Sequence, residues 1–304
     1  MAGNDFIAGI GNTNIDLLFS GLERLPQMGE EIYSKSFSLQ LGGGVPATMI
    51  SLGRLGIESR IATSLGEDMF SSFAKEQFLK NGVTPINLYE GGNIPVNITA
   101  AMITEEDRTF MSYTDSVTIS EKMINKAYEM CKGARIAEMQ VGPFFPVYEK
   151  LKKDGTIIVF DCGFDENMSL KAYEKYLRLA DYYTPNLKEA MMITKKNTAE
   201  EAAEILSEFF EKVVIKLDKN GCLGRENGKS FVVREVPDIT AVDSTGAGDA
   251  FLAGFIYGLF HNKSLKDCIL LGNITGGNSV TKVGCLAAYT DEKLLLETFE
   301  KLRR

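Results

Sequence analysis

The sequence predicts an α/β fold, in which helices cover both faces of a mostly parallel central sheet and a small antiparallel sheet lies beside it. Short apolar runs, typical of buried strands, alternate along the chain with amphipathic stretches of helical spacing. The runs are residues 6–11, 60–65, 134–139, 156–160 and 213–217, and the amphipathic stretches include 70–79, 172–179 and 199–210. This alternation indicates right-handed βαβ units and therefore parallel strands.

A second observation predicts the small sheet. Two segments, residues of about 12–41 and 94–117, lack helical periodicity and contain β-type runs that alternate with polar residues. We expect them to pair as antiparallel strands. Such a sheet would form a lid over the carboxyl ends of the parallel strands, where α/β proteins bind ligands. An edge extension without a role in closure is the alternative.

The whole chain, residues 1–304, is predicted to be one domain. A length of 304 residues would allow two domains, but no Pro-, Ser- or Gly-rich linker divides the sequence. The content of 44% apolar and 24% charged residues is that of an ordinary globular protein. Beyond Ala250 the chain is expected to be helical, with helices over Ser264–Lys282 and Asp291–Leu302.

Charge, cysteine and histidine content exclude several classes of function. The net charge of −8 argues against a nucleic-acid partner, which requires clustered Lys and Arg. No apolar run approaches the roughly 18 residues of a membrane span, so we expect no membrane partner and a cytoplasmic protein. The five cysteines form no Cys-x-x-Cys pair and are expected to be free thiols. The single histidine, His261, excludes multi-His metal sites.

The most informative segment is Ala241–Phe251, which reads Ala-Val-Asp-Ser-Thr-Gly-Ala-Gly-Asp-Ala-Phe. It predicts a loop that leads into a buried helix, because residues 250–260 are apolar or glycine throughout. Glycines allow a ligand to approach the backbone, and the free amides of a first helical turn attract anions. Asp249 would lie beside a bound phosphate, where a carboxylate orients an attacking hydroxyl and accepts its proton. The segment therefore indicates a kinase for a small alcohol, with a plain helix cap as the alternative.

The position of Asp249 also predicts its acidity. An ordinary aspartate has a pKa of about 3.9, and a helix N-terminus favours the ionised form further. We therefore expect a weak base, with late proton transfer and with amides and Mg²⁺ supplying most of the barrier reduction. The acidity of the chain also implies Mg²⁺, because an acidic protein binds nucleotide phosphates through amides, a few lysines and a divalent cation.

Three further patterns are consistent with ligand contacts. The run Gly42-Gly43-Gly44 precedes a predicted helix and offers bare backbone next to a ligand-sized space. Asp16 lies in an apolar run, where an acid needs a partner such as a substrate hydroxyl or a backbone amide. Asn186 and Glu189 share one face of a predicted helix, although a capping box explains their spacing equally well.

Two nucleotide-binding motifs are rejected. Gly9-Ile-Gly11 follows the first strand, but the next residues are typical of a strand and not of the helix that a dinucleotide fingerprint requires. The segment Gly224–Ser230 has one residue too few between its glycines for a P-loop. A hairpin turn at Asn227-Gly228 is the better interpretation.

Over essentially its whole length, the chain resembles the ribokinase-like carbohydrate kinases, also called the PfkB family. The C-terminal signature of that family is matched by Asp243-Ser-Thr-Gly-Ala-Gly-Asp249. The glycine motif is matched in part by Gly42-Gly43, the Asn-x-x-Glu element by Asn186 and Glu189, and the nucleotide loop by residues 216–221.

The resemblance implies a ribokinase-like fold and transfer of the γ-phosphoryl group of ATP to a hydroxyl of a sugar, with Asp249 as the base. It implies ATP and Mg²⁺ as cofactors, a monovalent cation such as K⁺ in some members, and a homodimer formed through the lid. The other implied residues are Gly246, Ala247 and Gly248 as an anion hole; Asn14, Asp16, Gly42 and Gly43 as sugar contacts; Asn186, Lys216, Gly221 and Asn273 as nucleotide contacts; Glu189 for Mg²⁺; and Asp243 for the monovalent cation.

Departures from the family pattern leave the acceptor open. Ala47 replaces an Asn, Gly142 a sugar-binding Glu and Gly44 a Lys of relatives, and the strand after Arg108 lacks the arginine of acidic-sugar kinases. A nucleoside kinase or a sugar-phosphate kinase of the same fold is one alternative, and a non-catalytic sugar or nucleotide sensor is another. The cations nearest to the site for a phosphorylated acceptor are Arg54, Arg108 and Lys35.

Overall fold

Strands and helices alternate along residues 5–303, which the computed structural model describes. The strands are β1 (Phe6–Ile10), β2 (Asn14–Leu22), β3 (Ser36–Leu41), β4 (Glu58–Thr63), β5 (Val83–Asn87), β6 (Asn97–Thr104), β7 (Arg108–Tyr113), β8 (Ile136–Met139), β9 (Ile157–Phe160), β10 (Tyr182–Tyr183), β11 (Lys212–Lys216), β12 (Cys222–Glu226) and β13 (Lys229–Val233). The α-helices are α1 (Val45–Arg54), α2 (Met69–Lys80), α3 (Glu121–Cys131), α4 (Phe145–Lys153), α5 (Leu170–Leu179), α6 (Leu187–Thr194), α7 (Ala199–Leu206), α8 (Ala247–Phe260), α9 (Leu265–Ser279) and α10 (Glu292–Leu302).

The main sheet confirms the predicted parallel architecture. Its six strands lie in the order β10-β9-β8-β1-β4-β5, and every neighbouring pair is parallel. The chain continues from β1 towards β4 and β5 on one side and returns to add β8, β9 and β10 on the other. The strand order therefore reverses at β1, and such a reversal opens a crevice at the carboxyl ends of the strands.

The helices cover the two faces of the main sheet, as predicted. One apolar cluster joins the sheet to α3, α4, α5, α6 and α7 on one face. The second cluster joins it to α1, α2, α8, α9 and α10 on the other. Helix α8 is buried along most of its length because it packs between α1 and α9. Its apolar sequence is thus explained by packing on several sides.

The two predicted lid segments form one small sheet, in the order β3-β2-β6-β7. The outer pairs, β2 with β3 and β6 with β7, are antiparallel, whereas the central pair of β2 and β6 is parallel. Parallel pairing requires a crossover, and α1 to β5 lie between these two strands in the chain. The expectation of antiparallel pairing was therefore wrong for this central pair.

The predicted strand at residues 213–217 has a different partner from the one expected. It is β11, which pairs with β12 in a three-stranded antiparallel sheet. One isolated parallel bridge joins its last residue, Lys216, to Asn186, the N-cap residue of α6. The predicted hairpin turn between β12 and β13 is confirmed. Asn227 and Gly228 have φ angles of 53° and 74°, as a tight hairpin requires.

The C-terminal part is less helical than predicted. Helix α9 ends at Ser279, and residues 280–291 form a turn segment before α10. In this segment the amide of Gly284 donates to Asp243 Oδ2 at 2.9 Å, so these residues are held against the loop before α8. All five cysteines are buried and unpaired, as predicted. Within the described residues, no helix is both long enough and apolar enough to span a bilayer.

A buried acid lies at the centre of the main sheet. Glu138 of β8 is paired with Gly9 of β1 and Val159 of β9, and its side chain has no exposed surface. Neither carboxylate oxygen has a hydrogen-bond partner among the described residues. Burial raises the pKa of Glu138 well above its usual range, and the carboxylates of Asp161 and Asp249 raise it further. The folded protein therefore keeps this side chain protonated where an unfolded chain would ionise it.

We predict that Glu138 makes the protein less stable as the pH rises. Because the folded pKa lies above the unfolded value of about 4.3, the folded state binds more protons above that pH, and stability falls as pH rises. Replacing Glu138 by Gln removes this proton linkage. The difference in thermal midpoint between E138Q and the wild type should therefore increase in favour of E138Q between about pH 5 and pH 8.

A matched control is Glu129→Gln, which changes an exposed glutamate on α3. Its difference from the wild type should stay nearly constant over the same pH range. A pH-independent difference for Glu138→Gln would contradict the assignment of a buried protonated acid.

Candidate active site

The candidate site forms where the N-termini of α1 and α8 meet above the strand reversal. The backbone amide of Gly44, at the start of α1, donates a hydrogen bond to Asp249 Oδ2 at 2.8 Å. These residues are 205 positions apart in the chain. The structure thus brings together the two glycine-containing motifs that the sequence singled out.

The glycines before α1 allow two carboxylates to approach the backbone. A Cβ atom on Gly43 would lie 2.8 Å from Asp249 Oδ2. A Cβ atom on Gly42 would lie 2.7 Å from the Cβ of Asn14 and 3.0 Å from Asp16 Oδ1. Any side chain here would displace a neighbour. Four expected sugar contacts and the expected base therefore lie in one continuous group.

Asn14 is fixed in this group by two hydrogen bonds. Its Nδ2 donates to the carbonyl oxygen of Gly43 at 3.3 Å, and its Oδ1 accepts from Asn97 Nδ2 at 2.8 Å. Asn97 begins β6 and Asn14 begins β2, so both side chains come from neighbouring lid strands. The lid sheet is thereby joined to the glycine loop.

Asp16 is a carboxylate available to a ligand. It lies on β2 between Gln40 of β3 and Thr99 of β6, and it is half-buried. Burial raises its pKa to about 6. Among residues 5–303, no hydrogen bond to its carboxylate is present. A polyhydroxylated molecule would supply the donors that such a group needs.

The structure corrects the expected acidity of Asp249. Burial raises its pKa to about 7, and the nearby Asp161 carboxylate also raises it, whereas the Gly44 amide and Lys216 lower it. The expectation of an ordinary or lowered pKa was wrong, because desolvation outweighs the helix N-terminus. A carboxylate with a pKa near neutrality is a better proton acceptor than an ordinary aspartate.

The first turn of α8 provides positive potential beside Asp249. Gly246 is the N-cap residue with a φ of 75°, a left-handed conformation, and no side chain caps the helix. Lys216 adds a charge to this turn, because its Nζ would lie 3.4 Å from a Cβ on Gly248. The Ala247 amide donates to the carbonyl oxygen of Ser244 at 3.2 Å. The positive end of the helix and the ammonium group of Lys216 together favour an anion.

Asn186 and Glu189 form a capping box at the start of α6. Asn186 Oδ1 accepts from the Glu189 amide at 2.9 Å, and Glu189 Oε2 accepts from the Asn186 amide at 2.8 Å. The capping box that could explain the spacing of this pair is therefore present. Burial raises the pKa of Glu189, and the nearby Lys216 lowers it. Glu189 therefore lies close enough to Lys216 for the charge of the lysine to act on its carboxylate.

Two expected nucleotide residues lie around the small antiparallel sheet. Gly221 follows the 3-10 turn Asp218–Asn220 and is buried at the start of β12. Asn273 of α9 is buried, and its Nδ2 donates to the carbonyl oxygens of Val233 and Arg234 at 3.1 and 2.9 Å. The Asn273 side chain therefore joins α9 to the end of β13.

Asp243 is fully engaged by donors. Its Oδ1 accepts from the Thr245 amide and hydroxyl at 2.9 and 2.7 Å, and its Oδ2 accepts from Gly284. A guanidinium completes the set, since Arg108 Nη1 donates to Oδ1 at 2.6 Å. This arrangement does not fit an alkali ion, because the guanidinium already contacts the oxygen that such an ion would share.

Sequence reasoning missed two acids of the site. They are Glu138 of β8 and Asp161, which directly follows β9. The Asp161 carboxylate raises the pKa of Asp249, and Asp249 raises the pKa of Glu138. Lys216 Nζ lies 3.8 Å from Asp161 Oδ1 and compensates it in part. The available signal was an acid at the carboxyl end of an apolar strand, where parallel sheets place ligand-binding groups.

The chain is similar to known kinases over nearly its whole length. The chain is 24% identical to ribokinase of Haemophilus influenzae over 303 residues, which cover 96% of this chain and 97% of that protein. It is 25% identical to a nucleoside kinase of Methanocaldococcus jannaschii, covering 97% of this chain and 96% of the other. The structure of Arabidopsis thaliana ribokinase complexed with ribose and ATP superposes with a TM-score of 0.81 at 22% identity, covering 97% of this chain and 98% of that one.

The structural similarity confirms the ribokinase-like fold. The family model for pfkB family carbohydrate kinases matches residues 4–292, nearly the whole chain. The chain therefore belongs to the PfkB family of carbohydrate kinases, which are phosphotransferases.

Proposed function

We propose that this chain transfers the γ-phosphoryl group of ATP to a hydroxyl of an unphosphorylated sugar or sugar-like molecule, with Asp249 as the base. One observation carries the proposal. Asp249 is held by the Gly44 amide at 2.8 Å, with Asp16 next to Gly42 on one side and Lys216 next to Gly248 on the other. An acid that could bind hydroxyls, a base and a helix turn that could bind an anion therefore lie side by side.

The proposed reaction uses these groups in sequence. The acceptor hydroxyl gives its proton to Asp249 while its oxygen forms a bond to the γ-phosphorus, and the bond from that phosphorus to the β-phosphate oxygen breaks to release ADP. The amides of Gly246, Ala247 and Gly248 would stabilise the negative charge on the transferred group. Lys216 would add a point charge at the same turn.

Mg²⁺ fits the carboxylates near this turn. Glu189 and Asp161 both lie within electrostatic range of Lys216. Mg²⁺ takes one or two carboxylates and completes its coordination with phosphate and water. In the described part of the chain, no cluster of three or more acidic, His or Cys side chains forms a protein cage for a metal. We propose Glu189 as the main protein contact; bound Mg²⁺ would neutralise charge on the phosphates.

The nucleotide would lie beside Asn186, Lys216, Gly221 and Asn273. Asn186 and Lys216 are adjacent through the bridge between α6 and β11. Gly221 would offer backbone without a side chain. Asn273 would act by shaping the adenine end, because its Nδ2 is bonded to the backbone after β13.

The cations of the structure favour an unphosphorylated acceptor. Arg54 donates to Asn81 Oδ1 and to the carbonyl oxygens of Leu286 and Ala288, and Arg108 is paired with Asp243. Lys35 is exposed at the start of β3. None of the three cations proposed for a phosphorylated acceptor is thus both buried and free to bind one. A sugar or a nucleoside fits the uncompensated Asp16.

We predict that an acceptor panel will separate these functions. In an ADP-release assay with Mg-ATP, at least one pentose, hexose or nucleoside should stimulate ADP formation, and phosphorylated sugars should not. For that acceptor, Asp249→Asn should lower kcat by about 10²–10⁴-fold, because the proton acceptor is lost, while ATP binding stays nearly unchanged.

Asp291→Asn is the matched control, since Asp291 also accepts one backbone amide but caps α10 away from the site. It should keep wild-type kcat. An Asp249→Asn variant with more than about a tenth of wild-type kcat would remove Asp249 as the base. ATP binding without stimulation by any acceptor would favour a sensor.

We predict that Gly43→Ala damages catalysis more than stability. The added methyl would lie 2.8 Å from Asp249 Oδ2, so the carboxylate must move away from the Gly44 amide. We expect kcat/KM to fall by at least about tenfold, the size of a misplaced reacting group, with little change in the thermal midpoint. Gly92→Ala, where a methyl meets open space, should leave both unchanged. Equal kcat/KM in both variants would contradict the proposed geometry.

We also propose a homodimer formed through the lid. On the lid face opposite Asp16, Phe37 and Met111 are 56% and 69% exposed, and Tyr113 extends the same apolar surface. A second copy of the chain would bury it. Light scattering should show a dimer for the wild type and a monomer for Phe37→Asp, whereas Leu79→Asp on α2 stays dimeric. A monomeric wild type at micromolar concentration would refute this proposal.

A further inference from the structure

Asp243 fixes the loop that leads into α8. Residues 241–246 form this loop, here called the α8 entry loop, and its last residue is the N-cap of α8. The amides of Val242 and Asp243 donate to the carbonyl oxygen of Val280 at 2.7 and 3.1 Å. The Asp243 carboxylate accepts from Thr245 within the loop and from Gly284 in the turn segment after α9. One side chain thus connects the α8 entry loop with the turn segment after α9.

This carboxylate requires a cation. Its side chain is 11% exposed, so water compensates little of its charge. Four donors point at its two oxygens, as they do at an ionised carboxylate: the Thr245 amide and hydroxyl, the Gly284 amide and Arg108 Nη1. The three donors from Thr245 and Gly284 are neutral groups and cannot balance the charge of the carboxylate. Among residues 5–303, Asp243 forms one ion pair, with the guanidinium of Arg108.

Arg108 comes from the lid. It begins β7, where it pairs with Ile103 of β6, and Ile103 pairs with Ser20 of β2. Since Ser20 is four residues from Asp16 on the same strand, Arg108 and Asp16 lie on the same face of the lid sheet. Its Nη1 donates to Asp243 Oδ1 at 2.6 Å and to the Thr245 hydroxyl. The lid and the α8 entry loop are thus joined across 135 residues of chain.

We propose that Arg108 is a built-in cation for Asp243, delivered by the lid, that holds the α8 entry loop in the conformation presenting the amides of residues 246–248. Arg108 acts as a positioning residue, because it touches Asp243 and not the proposed reacting atoms. Its Nη1 contacts Asp243 Oδ1 and Thr245 Oγ1, so an alkali ion bound to either oxygen would meet the guanidinium. The chain therefore requires no K⁺, and its lid position and anion site are coupled.

Removing the guanidinium should create a requirement for an alkali ion. The kinetic test, which rests on the proposed function, compares KCl with tetramethylammonium chloride at the same ionic strength of about 0.1 M. Wild-type kcat should be the same in both salts. In tetramethylammonium chloride, the kcat of Arg108→Ala should be about tenfold below that of the wild type, as expected for the loss of a charge-assisted hydrogen bond. KCl should restore much of this kcat. Arg108→Lys, which keeps the charge, should need no K⁺.

Arg24→Ala is the matched control. It removes an arginine that pairs with Glu30 in the exposed segment between β2 and β3. Its kcat should match the wild type in both salts. Activation of the wild type by K⁺, or an Arg108→Ala variant that is fully active in tetramethylammonium, would overturn the proposal. If Arg108→Ala does not fold, Arg108→Gln, which loses the charge and keeps a donor, replaces it.

Thermal unfolding gives a readout that does not depend on activity. A ligand that binds only the folded state raises the midpoint. K⁺ should therefore raise the midpoint of Arg108→Ala relative to tetramethylammonium and leave that of the wild type unchanged. Adding Asp243→Asn to Arg108→Ala should abolish the effect of K⁺. An equal K⁺ effect on all three proteins would refute the cation role even if no acceptor for the kinase reaction were found.

Discussion

The hydrogen bond between the Gly44 amide and Asp249 is the contact on which the site depends. It forms between the N-termini of two helices from opposite ends of the chain, and both helices pack on the same face of the main sheet. A carboxylate can approach this backbone only because Gly43 has no side chain. Burial in this corner raises the pKa of Asp249 to about 7 although the Gly44 amide lowers it, so the contact fixes the position of the carboxylate that we propose as the base and burial sets its acidity.

The charges around this contact are strongly unbalanced. The acids of the site outnumber the lysine that faces them, Lys216, and five of these acids have pKa values raised by burial. These five are Asp16, Glu138, Asp161, Glu189 and Asp249. A polyphosphate cannot approach such a cluster unless protons, amides or a divalent cation compensate the carboxylates. In the proposed reaction, Mg²⁺ brought with the nucleotide would supply this compensation.

Local patterns predicted the parts of the site that consist of backbone. The signature at residues 243–249 and the glycines before α1 stand out in sequence, because a loop that leads into a helix has a recognisable composition. The lid segments were also recognisable by their alternation, and the resemblance to a known family fixed the order of these pieces. What sequence could not give was contact across space. The pairing of Arg108 with Asp243 joins residues far apart in the chain. The pKa of Asp249 is raised by burial and by the carboxylate of Asp161, which is also distant in the chain.

These distant contacts are linked because the lid sheet carries both Asp16 and Arg108. Alternation along a strand places Asp16 and Arg108 on the face towards the site, and the same alternation places Phe37 and Met111 on the opposite face. Arg108 already contacts Asp243 in this structure, so a movement of the sheet that brought Asp16 to an acceptor would also act on the Asp243 contact. In the proposed dimer, a partner on the outer face would restrict that movement. Acceptor binding, order in the loop before α8 and subunit contact would then be linked through the same four strands.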